Sequence, residues 1–263
     1  MLSVCFLRVS RAKRPKIIQL KLELCVPNSL PFNVISSSEL LSWRSETFWT
    51  KEPETIAWIE KMKESNSQLS HFIDVGANVG MYSLYAASVN SELKIISIEP
   101  AANNYEFLSK NIHLNNFQNR ITLVDKPLCE KEGKSFLINT DTRPGSSGAQ
   151  VSLKESSNSI SVRAITGDLI VDMYQIRKAF LKIDIDGEEL GVLLGFKEAL
   201  SKGCILSILV ECTDSNDKEI KEYLDQFGFY EDISFESIKG HSKLRRQASQ
   251  KAEMNKIFSR KQL

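Results

Sequence analysis

Apolar and polar residues alternate along the chain with two different periods. In residues 17–26 apolar side chains recur at every second position, which is the pattern of a half-buried β-strand. We predict a further strand near residues 4–10 and, after a Ser-rich turn, a helix over residues 51–64, where Pro53 suits the first helical turn. Together these elements predict a small N-terminal β/α extension over residues 1–66.

From residue 71 onwards short apolar strands alternate with helical segments. The strands are predicted at residues 71–75, 93–98, 121–128, 179–185 and 204–212. Strands rich in Ile, Leu and Val that alternate with helices indicate an α/β fold of three layers, with a mostly parallel sheet covered on both faces. We predict that this domain spans residues 67–235 and that residues 236–263 form a basic tail, helical or flexible.

Composition and charge narrow the class of protein. The chain has 263 residues, of which 42% are hydrophobic and 25% charged, and this excludes disordered, collagen-like and disulfide-scaffold proteins. The net charge of +1 is unevenly distributed, because residues 1–22 carry six basic side chains and no acidic one, and residues 236–263 carry eight basic and two acidic ones. The segment between them is therefore acidic, which argues against nucleic acid as the substrate.

The N-terminus and the cysteines indicate the compartment. The chain begins with a short apolar run followed at once by Arg8 and Arg11, the reverse of the order in a secretory signal. No stretch approaches the roughly 18 apolar residues that a membrane span needs. The five cysteines form no CxxC pair and the three histidines are scattered, so we predict buried thiols and no metal site. These features predict a cytoplasmic protein without a transmembrane segment.

The sequence FIDVGANVG at residues 72–80 is typical of a strand that turns sharply into a helix beside a ligand. Asp74 ends the strand, and Gly76, Asn78 and Gly80 lie in the turn. Glycines let a ligand approach the backbone closely, and the helix N-terminus offers free N–H groups. A tight turn without a ligand would show the same pattern. The Asn in the middle of the turn departs from the GxGxxG fingerprint, and an acid shortly before the first glycine favours a ligand with an ammonium over a pyrophosphate.

Carboxylates also end later strands of the domain. Glu99 follows the second of these strands, where an acid can accept both hydroxyls of a ribose. Asp184 and Asp186 follow a later strand, and with Glu189 and Glu211 they would form an acidic rim. Such carboxylates could act as a general base on a hydroxyl or hold a divalent cation, although no metal spacing is diagnostic. A solvated Asp-Gly turn would leave the same residues.

Four segments, in this order and spacing, resemble the FkbM-like family of S-adenosylmethionine (SAM) dependent methyltransferases. They are FIDVGANVGMYSLYAA, IEPAANNYEFLSKNIHLN, KIDIDGEELGVLLGF and ILVEC. Each motif alone is modest, but four in register are specific. The resemblance covers residues 50–235 and implies a class I, Rossmann-like methyltransferase fold, with a seven-stranded, largely parallel sheet that has one antiparallel strand near the end.

The resemblance also assigns a cofactor and an acceptor. It implies that the glycine turn holds the methionine end of SAM, that Glu99 holds the ribose, and that the segment after the third strand borders the adenine. The residues that it places around SAM are Asp74, Gly76, Asn78, Gly80, Glu99, Asn104 and Asp125. Members of the family mostly methylate hydroxyls of sugars, surface glycans or secondary metabolites. The implied reaction is an in-line attack of such a hydroxyl on the methyl group, with Asp184 or Asp186 as the base.

Other functions are open at this point. An NAD-dependent oxidoreductase would also use the glycine turn and Glu99, although Asn78 and Asp74 argue against it. An RNA methyltransferase could grip phosphates with the basic ends, but the segment DIDGEE lacks the proline and aromatic residues of an NPPY-like motif. A SAM-binding protein without catalysis is a third alternative. Within residues 129–164 the loop TDTRPGSSGAQ is expected to shape the acceptor site.

Overall fold

The computed structural model describes residues 8–9, 16–20, 32–62, 69–139, 143–146, 151–152, 159–185, 187–238 and 254–260. The chain opens with three antiparallel strands, followed by two helices. These elements are β1 (Arg8–Val9), β2 (Lys16–Leu20), β3 (Phe32–Ser36), α1 (Glu39–Lys51) and α2 (Pro53–Lys61).

The rest of the chain alternates strands and helices, as the sequence predicts. In order these are β4 (His71–Val75), α3 (Met81–Val89), β5 (Lys94–Ile98), α4 (Ala102–Leu114), β6 (Ile121–Val124), β7 (Ser135–Asn139), β8 (Val151–Ser152), β9 (Ser159–Arg163), α5 (Gly167–Met173), β10 (Ala179–Ile183), α6 (Glu189–Leu194), α7 (Lys197–Ser201), β11 (Ile205–Cys212), α8 (Asp217–Asp225), β12 (Phe229–Glu231), a 3-10 helix (Ile233–Ile238) and β13 (Met254–Arg260). Strands β7, β8 and β9 form a small antiparallel sheet of their own.

The main sheet has seven strands in the order β12-β13-β11-β10-β4-β5-β6. Strands β11, β10, β4, β5 and β6 pair in parallel, whereas β13 is antiparallel to both of its neighbours, β11 and β12. One strand near the end of the chain is therefore reversed in an otherwise parallel sheet. This arrangement confirms the predicted class I, Rossmann-like α/β fold.

Helices cover both faces of this sheet. Successive residues of a strand point to opposite sides, so a strand that is apolar throughout has side chains to bury on both faces. In β4, Phe72 packs into a core with residues of α1 to α4, including Trp58 and Tyr85. Its neighbour Ile73 packs on the other side with residues of α5 to α8, including Val192. The two apolar cores explain why the strands have continuous apolar stretches rather than alternating ones.

The N-terminal elements share the core of the main sheet. The backbone N–H of Asn33 in β3 donates to Asn115 Oδ1 at 2.6 Å, and the N–H of Ile35 donates to Asn111 Oδ1 at 2.8 Å. In α2, the fully buried Trp58 donates from its indole to Ser207 Oγ of β11 at 2.9 Å. These contacts fix α1 and α2 beside the sheet, and α1 thereby becomes a wall of the site described below.

The Ser-rich segment predicted as a turn is instead the beginning of α1. The side chain of Ser38 accepts the N–H of Leu41 and caps the helix, and Leu41 and Phe48 bury their side chains in the core. Serine is favoured both in turns and at helix N-caps. The local composition therefore did not distinguish the two, and burial of the apolar positions decides for the helix.

The prediction that residues 236–263 form a helical or flexible tail is wrong for residues 254–260. Met254–Arg260 form β13, which lies between β11 and β12, and Ile257 and Phe258 are buried. The two apolar residues are adjacent and flanked by polar ones, so neither a strand period nor a helix period stands out. Pairing with a strand on each side, rather than the local pattern, makes this segment a strand.

Basic side chains of β13 bind acidic groups of the body. Lys256 Nζ lies 2.7 Å from Asp217 and 3.3 Å from Glu231, and Arg260 donates to the carbonyl oxygen of Leu200 at 2.9 Å. Part of the charge asymmetry between the body and the C-terminal segment is therefore neutralised within the fold.

The described residues can be compared with the sequence predictions on membrane spans, metal sites and cysteines. In the described ranges no helix is long and apolar enough to cross a bilayer, and no group of three or more His, Cys, Asp or Glu side chains is placed to hold a metal ion. Of the cysteines in these ranges, Cys129 and Cys212 are buried free thiols and Cys204 is partly exposed. Cys5 and Cys25 lie outside the described residues.

Candidate functional site

The carboxyl ends of the parallel strands open into a cavity of about 420 Å³. Its lining comes from the turn after β4, from the ends of β5 and β10, and from α1. Parallel strands end at the same edge of a sheet, which is why residues from separate motifs meet there. Of the predicted site residues, the cavity is lined by Gly76, Asn78, Glu99, Asn104 and Asp184.

The two glycines of the turn are required by packing within the protein. Gly76 has φ +81°, and a Cβ atom there would lie 2.0 Å from the carbonyl oxygen of Asp184. Gly80 has φ +90° at the N-cap of α3, and its Cβ would lie 2.3 Å from Leu108 Cδ1. The turn therefore brings the end of β4 against the end of β10, as the hydrogen bond from Asp184 N–H to the carbonyl of Val75 at 3.1 Å also shows.

At the edge of the cavity, a lysine is buried between two carboxylates. Lys182 of β10 is 1% exposed, and its Nζ lies 2.7 Å from Asp184 Oδ2 and 3.8 Å from Asp74 Oδ1. Asp74 is fully buried and accepts a hydrogen bond from Ser83 Oγ at 2.6 Å through its other oxygen. Asp74, which was predicted to bind the cofactor, thus does not line the cavity. It lies next to Lys182, which does.

Burial and mutual attraction set the charges of this cluster. Burial opposes the charge of Lys182, but attraction to Asp184 and Asp74 outweighs it and raises the pKa of Lys182 to about 12. Burial likewise disfavours the charged form of Asp184, yet the ammonium of Lys182 holds the pKa of Asp184 below its usual range. The pKa of Asp74 is raised, mainly by its burial. Asp184, whose side chain is 30% exposed, therefore presents an ionised carboxylate to the cavity.

Glu99 follows β5 and lines the cavity with a buried carboxylate. Its two oxygens accept the backbone N–H of Asn78 at 2.8 Å and of Ala101 at 2.9 Å. Burial raises the pKa of Glu99 to about 7, although these two hydrogen bonds and one from the side chain of Asn104 favour the ionised form. The three hydrogen bonds hold the carboxylate in one orientation at the cavity wall.

The amides of Asn78 and Asn104 bind a loop of the protein itself. Both side chains donate to the carbonyl oxygen of Ser146, at 3.0 and 3.1 Å respectively. Asn104 Oδ1 also accepts the N–H of Gly145 at 2.9 Å. These loop residues belong to the Gly/Ser-rich segment that the sequence assigns to the acceptor site, and both line the cavity.

Four predicted residues do not line the cavity or cannot be placed. Asp74, Gly80 and Asp125 are not among the residues that line it. Asp125 follows β6, the edge strand of the sheet, and its side chain is 65% exposed and lies 3.8 Å from Lys126. Asp186 lies outside the described residues. Of the predicted acidic rim, Glu211 lines the cavity, whereas the buried Glu189 accepts the N–H of Gly187 and an amide hydrogen of Asn216.

Sequence reasoning missed the cations and aromatic groups of the site. Arg44 and Lys51 line the cavity from α1, and Lys182 lines it from β10. Tyr82 covers Lys182, whose Nζ lies 5.1 Å from the ring centroid, and its hydroxyl donates to Glu52 at 2.7 Å. A lysine in the middle of an apolar strand was a usable signal for Lys182, because an unpaired charge is not tolerated in a core. No local signal marks Arg44.

The chain is similar to a family of known proteins and to a curated relative. The profile of the family described as "Methyltransferase FkbM domain" matches residues 74–231. "Methyltransferase sdnD" of Sordaria araneosa is 26% identical over a region that covers 48% of this chain and 60% of that protein. The chain thus spans about 60% of the length of this curated relative.

Similar solved structures include two methyltransferases of low sequence identity. The "Human methyltransferase 10 domain containing protein" is 14% identical, with 78% of this chain and 80% of that chain covered and a TM-score of 0.43. The precorrin-6y C5,15-methyltransferase from Geobacter metallireducens GS-15 is 12% identical, with 78% and 88% covered and a TM-score of 0.45. At these scores the two likenesses carry no argument about function. The family profile, in contrast, matches more than half of the chain, and the chain therefore belongs to the FkbM methyltransferase domain family.

Proposed function

We propose that this protein is a SAM-dependent O-methyltransferase that acts on a hydroxyl of a sugar, a glycan or a small metabolite. The observation that carries the proposal is the meeting of the glycine turn, Glu99 and Asp184 around one cavity. Membership of the FkbM methyltransferase domain family supports the same reaction class. The residues that line the cavity support the proposed class of acceptor.

The residues around the cavity fit SAM. This cofactor has a ribose with two hydroxyl donors, and Glu99 offers a buried, oriented carboxylate at a strand end that suits a ribose. The α-ammonium of its amino-acid end and its sulfonium are cationic, and Asp184, Glu188 and Glu211 place carboxylates along the wall. When bound, SAM would supply an electrophilic methyl group on a sulfonium leaving group.

In this proposal the chain itself positions the acceptor hydroxyl and moves one proton. The ionised carboxylate of Asp184 accepts a hydrogen bond from the hydroxyl and so aims its oxygen into the cavity. Asp184 then takes the hydroxyl proton while the new carbon–oxygen bond forms. Lys182 holds the Asp184 carboxylate in place from below at 2.7 Å. Asp186, predicted as the alternative base, keeps that role as a prediction.

An exposed aromatic side chain of the cavity lining supports a polyhydroxylated acceptor. Trp43 of α1 lines the cavity and is 43% exposed, which is unusual for so large an apolar side chain. An exposed indole beside carboxylates can pack on the C–H face of a sugar while the carboxylates accept its hydroxyls. This combination supports a sugar or glycan hydroxyl as the acceptor.

Calorimetric titration with S-adenosylhomocysteine (SAH), the demethylated product, tests the cofactor assignment. We expect one binding site, with affinity at least tenfold weaker in Glu99→Ala because a buried, oriented acceptor is lost. Glu106→Ala is the matched control, since Glu106 is exposed on α4 and pairs with Lys110 across one helical turn. Binding of NAD in place of SAH would overturn the proposal in favour of an oxidoreductase.

Transfer of tritiated methyl groups tests the acceptor. Purified protein and labelled SAM are incubated with a panel of monosaccharides, oligosaccharides and, separately, total RNA. We expect label in a carbohydrate fraction, reduced by Trp43→Ala through a raised KM with little change in kcat. Label in RNA, with binding that weakens steeply with salt, would contradict the proposed acceptor class.

A further inference from the structure

We propose that residues 143–146 form a strap that roofs the cofactor cavity and that Arg44 is the residue that clamps it shut. The proposal rests on the proposed function, because it concerns retention of SAM or SAH in that cavity. It goes beyond that function by naming the element that controls exit of the cofactor.

The strap is a tight turn that is already shaped for this position. Its sequence is Arg-Pro-Gly-Ser, and the N–H of Ser146 donates to the carbonyl of Arg143 at 2.9 Å, which closes the turn. Gly145 has φ +86°, as the third residue of a Pro-Gly turn of type II requires. Proline restricts the second position, so the turn loses little conformational freedom when it docks.

Three elements hold the strap by its backbone. Asn104 of α4 binds both the N–H of Gly145 and the carbonyl of Ser146, and Asn78 of the glycine turn binds the same carbonyl. From α1, Arg44 Nε donates to the carbonyl of Gly145 at 2.5 Å. The strap therefore links α1 to α4 and to the glycine turn, and Gly145 and Ser146 line the cavity.

The strap bounds the cavity and does not fill it. Gly145 and Ser146 line a space of about 420 Å³ that persists below them, and this volume is in the range of small-ligand sites. A bound cofactor would thus lie beneath the strap. Its departure would require the hydrogen bonds of the strap to break, as in other sites that close over their ligand.

Arg44 is the residue with which to test this clamp, because it lies on α1, whereas the residues proposed to bind SAM lie on the glycine turn and at the strand ends. Arg44→Gln removes the cation and weakens the bond to the carbonyl of Gly145. Gly145→Ala disturbs the strap from its own side, since an added Cβ would lie 2.6 Å from Leu41 Cδ2. Arg177→Gln is the control, because Arg177 is an exposed arginine before β10, away from this cavity.

The rate of SAH dissociation, measured by surface plasmon resonance, is the first readout. We expect Arg44→Gln and Gly145→Ala to speed dissociation about tenfold, since a hydrogen bond to a charged group is lost or strained, and Arg177→Gln to leave the rate unchanged. Arg44→Lys should restore part of the retention. Dissociation rates of both variants within twofold of the wild type would overturn the strap and leave the proposed function intact.

Hydrogen exchange without ligand is a second readout that does not depend on the proposed function. The amide of Gly145 is bonded to Asn104, so we expect it to be protected in the wild type and to exchange faster in Arg44→Gln. Unchanged exchange in that variant would contradict the clamp even if SAH binds. Failure of the wild type to bind SAH would overturn the proposed function, and the retention of SAH with it.

Discussion

Lys182 shows at the scale of a single residue how the edge of the cavity is stabilised. Its ammonium is buried between Asp74 and Asp184, and within the described residues Asp74 Oδ1 has no hydrogen-bond partner. The attraction to Lys182 is therefore the main compensation for burying that oxygen. Both carboxylates would lose their common cation if the lysine were replaced.

We predict that Lys182→Met lowers the free energy of unfolding by about 3–5 kcal/mol, because it leaves an uncompensated charge in the core. Urea denaturation at pH 7 measures the change. Lys218→Met is the control, since Lys218 is 86% exposed on α8 and its loss should cost less than about 0.5 kcal/mol. Equal stability of the two variants would show that the lysine contributes nothing by its burial.

The same contact has a pH signature. Because the folded pKa of Asp184 lies below its ordinary value, its contribution to stability is present above that ordinary value and is lost as the pH falls through the folded pKa. Removal of Lys182 should therefore also remove this part of the acid sensitivity.

The contribution of Glu99 to stability depends on pH in the opposite sense. Its folded pKa is raised from 4.5 to about 7 by burial, so the folded state binds a proton more tightly than the unfolded state between these values. Stability therefore decreases as the pH rises from 4.5 to 7, by about 3 kcal/mol from this group. Unfolding free energies at pH 5 and pH 7.5 should show this decrease in the wild type and a smaller one in Glu99→Gln. A decrease of the same size in both proteins would exclude Glu99 as its source.

At the scale of elements, the turn between β4 and α3 joins the fold to the site. We predict that Gly76→Ala lowers the free energy of unfolding by more than about 3 kcal/mol, because its Cβ would overlap the carbonyl oxygen of Asp184. Gly133→Ala is a matched control, since Gly133 also has a positive φ, +78°, but an added Cβ would meet nothing within 4 Å. It should show only the backbone strain, about 1–2 kcal/mol. Chemical denaturation of both variants gives the difference, and equal losses would refute the close contact.

The sequence predicted some elements closely and missed others for identifiable reasons. The bounds of β4 agree with the prediction and α3 is the helix expected after the glycine turn, because a short apolar run, a glycine turn and an apolar helix follow one another without ambiguity. Helix α1 was missed because serines suit turns and caps alike. Helix α5, with seven residues, is too short for its apolar positions to establish a period.

At the scale of the whole molecule, β13 near the C-terminus and α2 from the N-terminal part of the chain pack together beside β11. Asn255 of β13 is buried, with its amide 3.4 Å from Glu54 and Thr55 of α2, and Ser207 of β11 contacts both Trp58 and the carbonyl of Phe258. Strand β13 therefore supports α2 as well as its neighbouring strands.

We predict that truncation after residue 253, which deletes β13, abolishes cooperative unfolding. It would expose the edge of β11, strand β12 would lose its partner, and the buried Phe258 would leave the core. Thermal unfolding followed by circular dichroism, with size-exclusion chromatography, measures the effect. Truncation after Arg260 is the control. A sharp, wild-type transition in the shorter protein would show that residues 254–260 are dispensable, as a tail would be.

The sequence by itself determined the alternation of strands and helices, the carboxylates at strand ends and the glycine turn. These features locate the cavity, because parallel strands that share one sheet end at the same edge. Only the tertiary structure decided which cations line that cavity, which loop borders it and which segment completes the sheet. Arg44 and Gly145 are 101 residues apart along the chain, and β13 owes its conformation to strands on both sides. A local pattern records the burial and period of its own residues, but it does not record their distant partners.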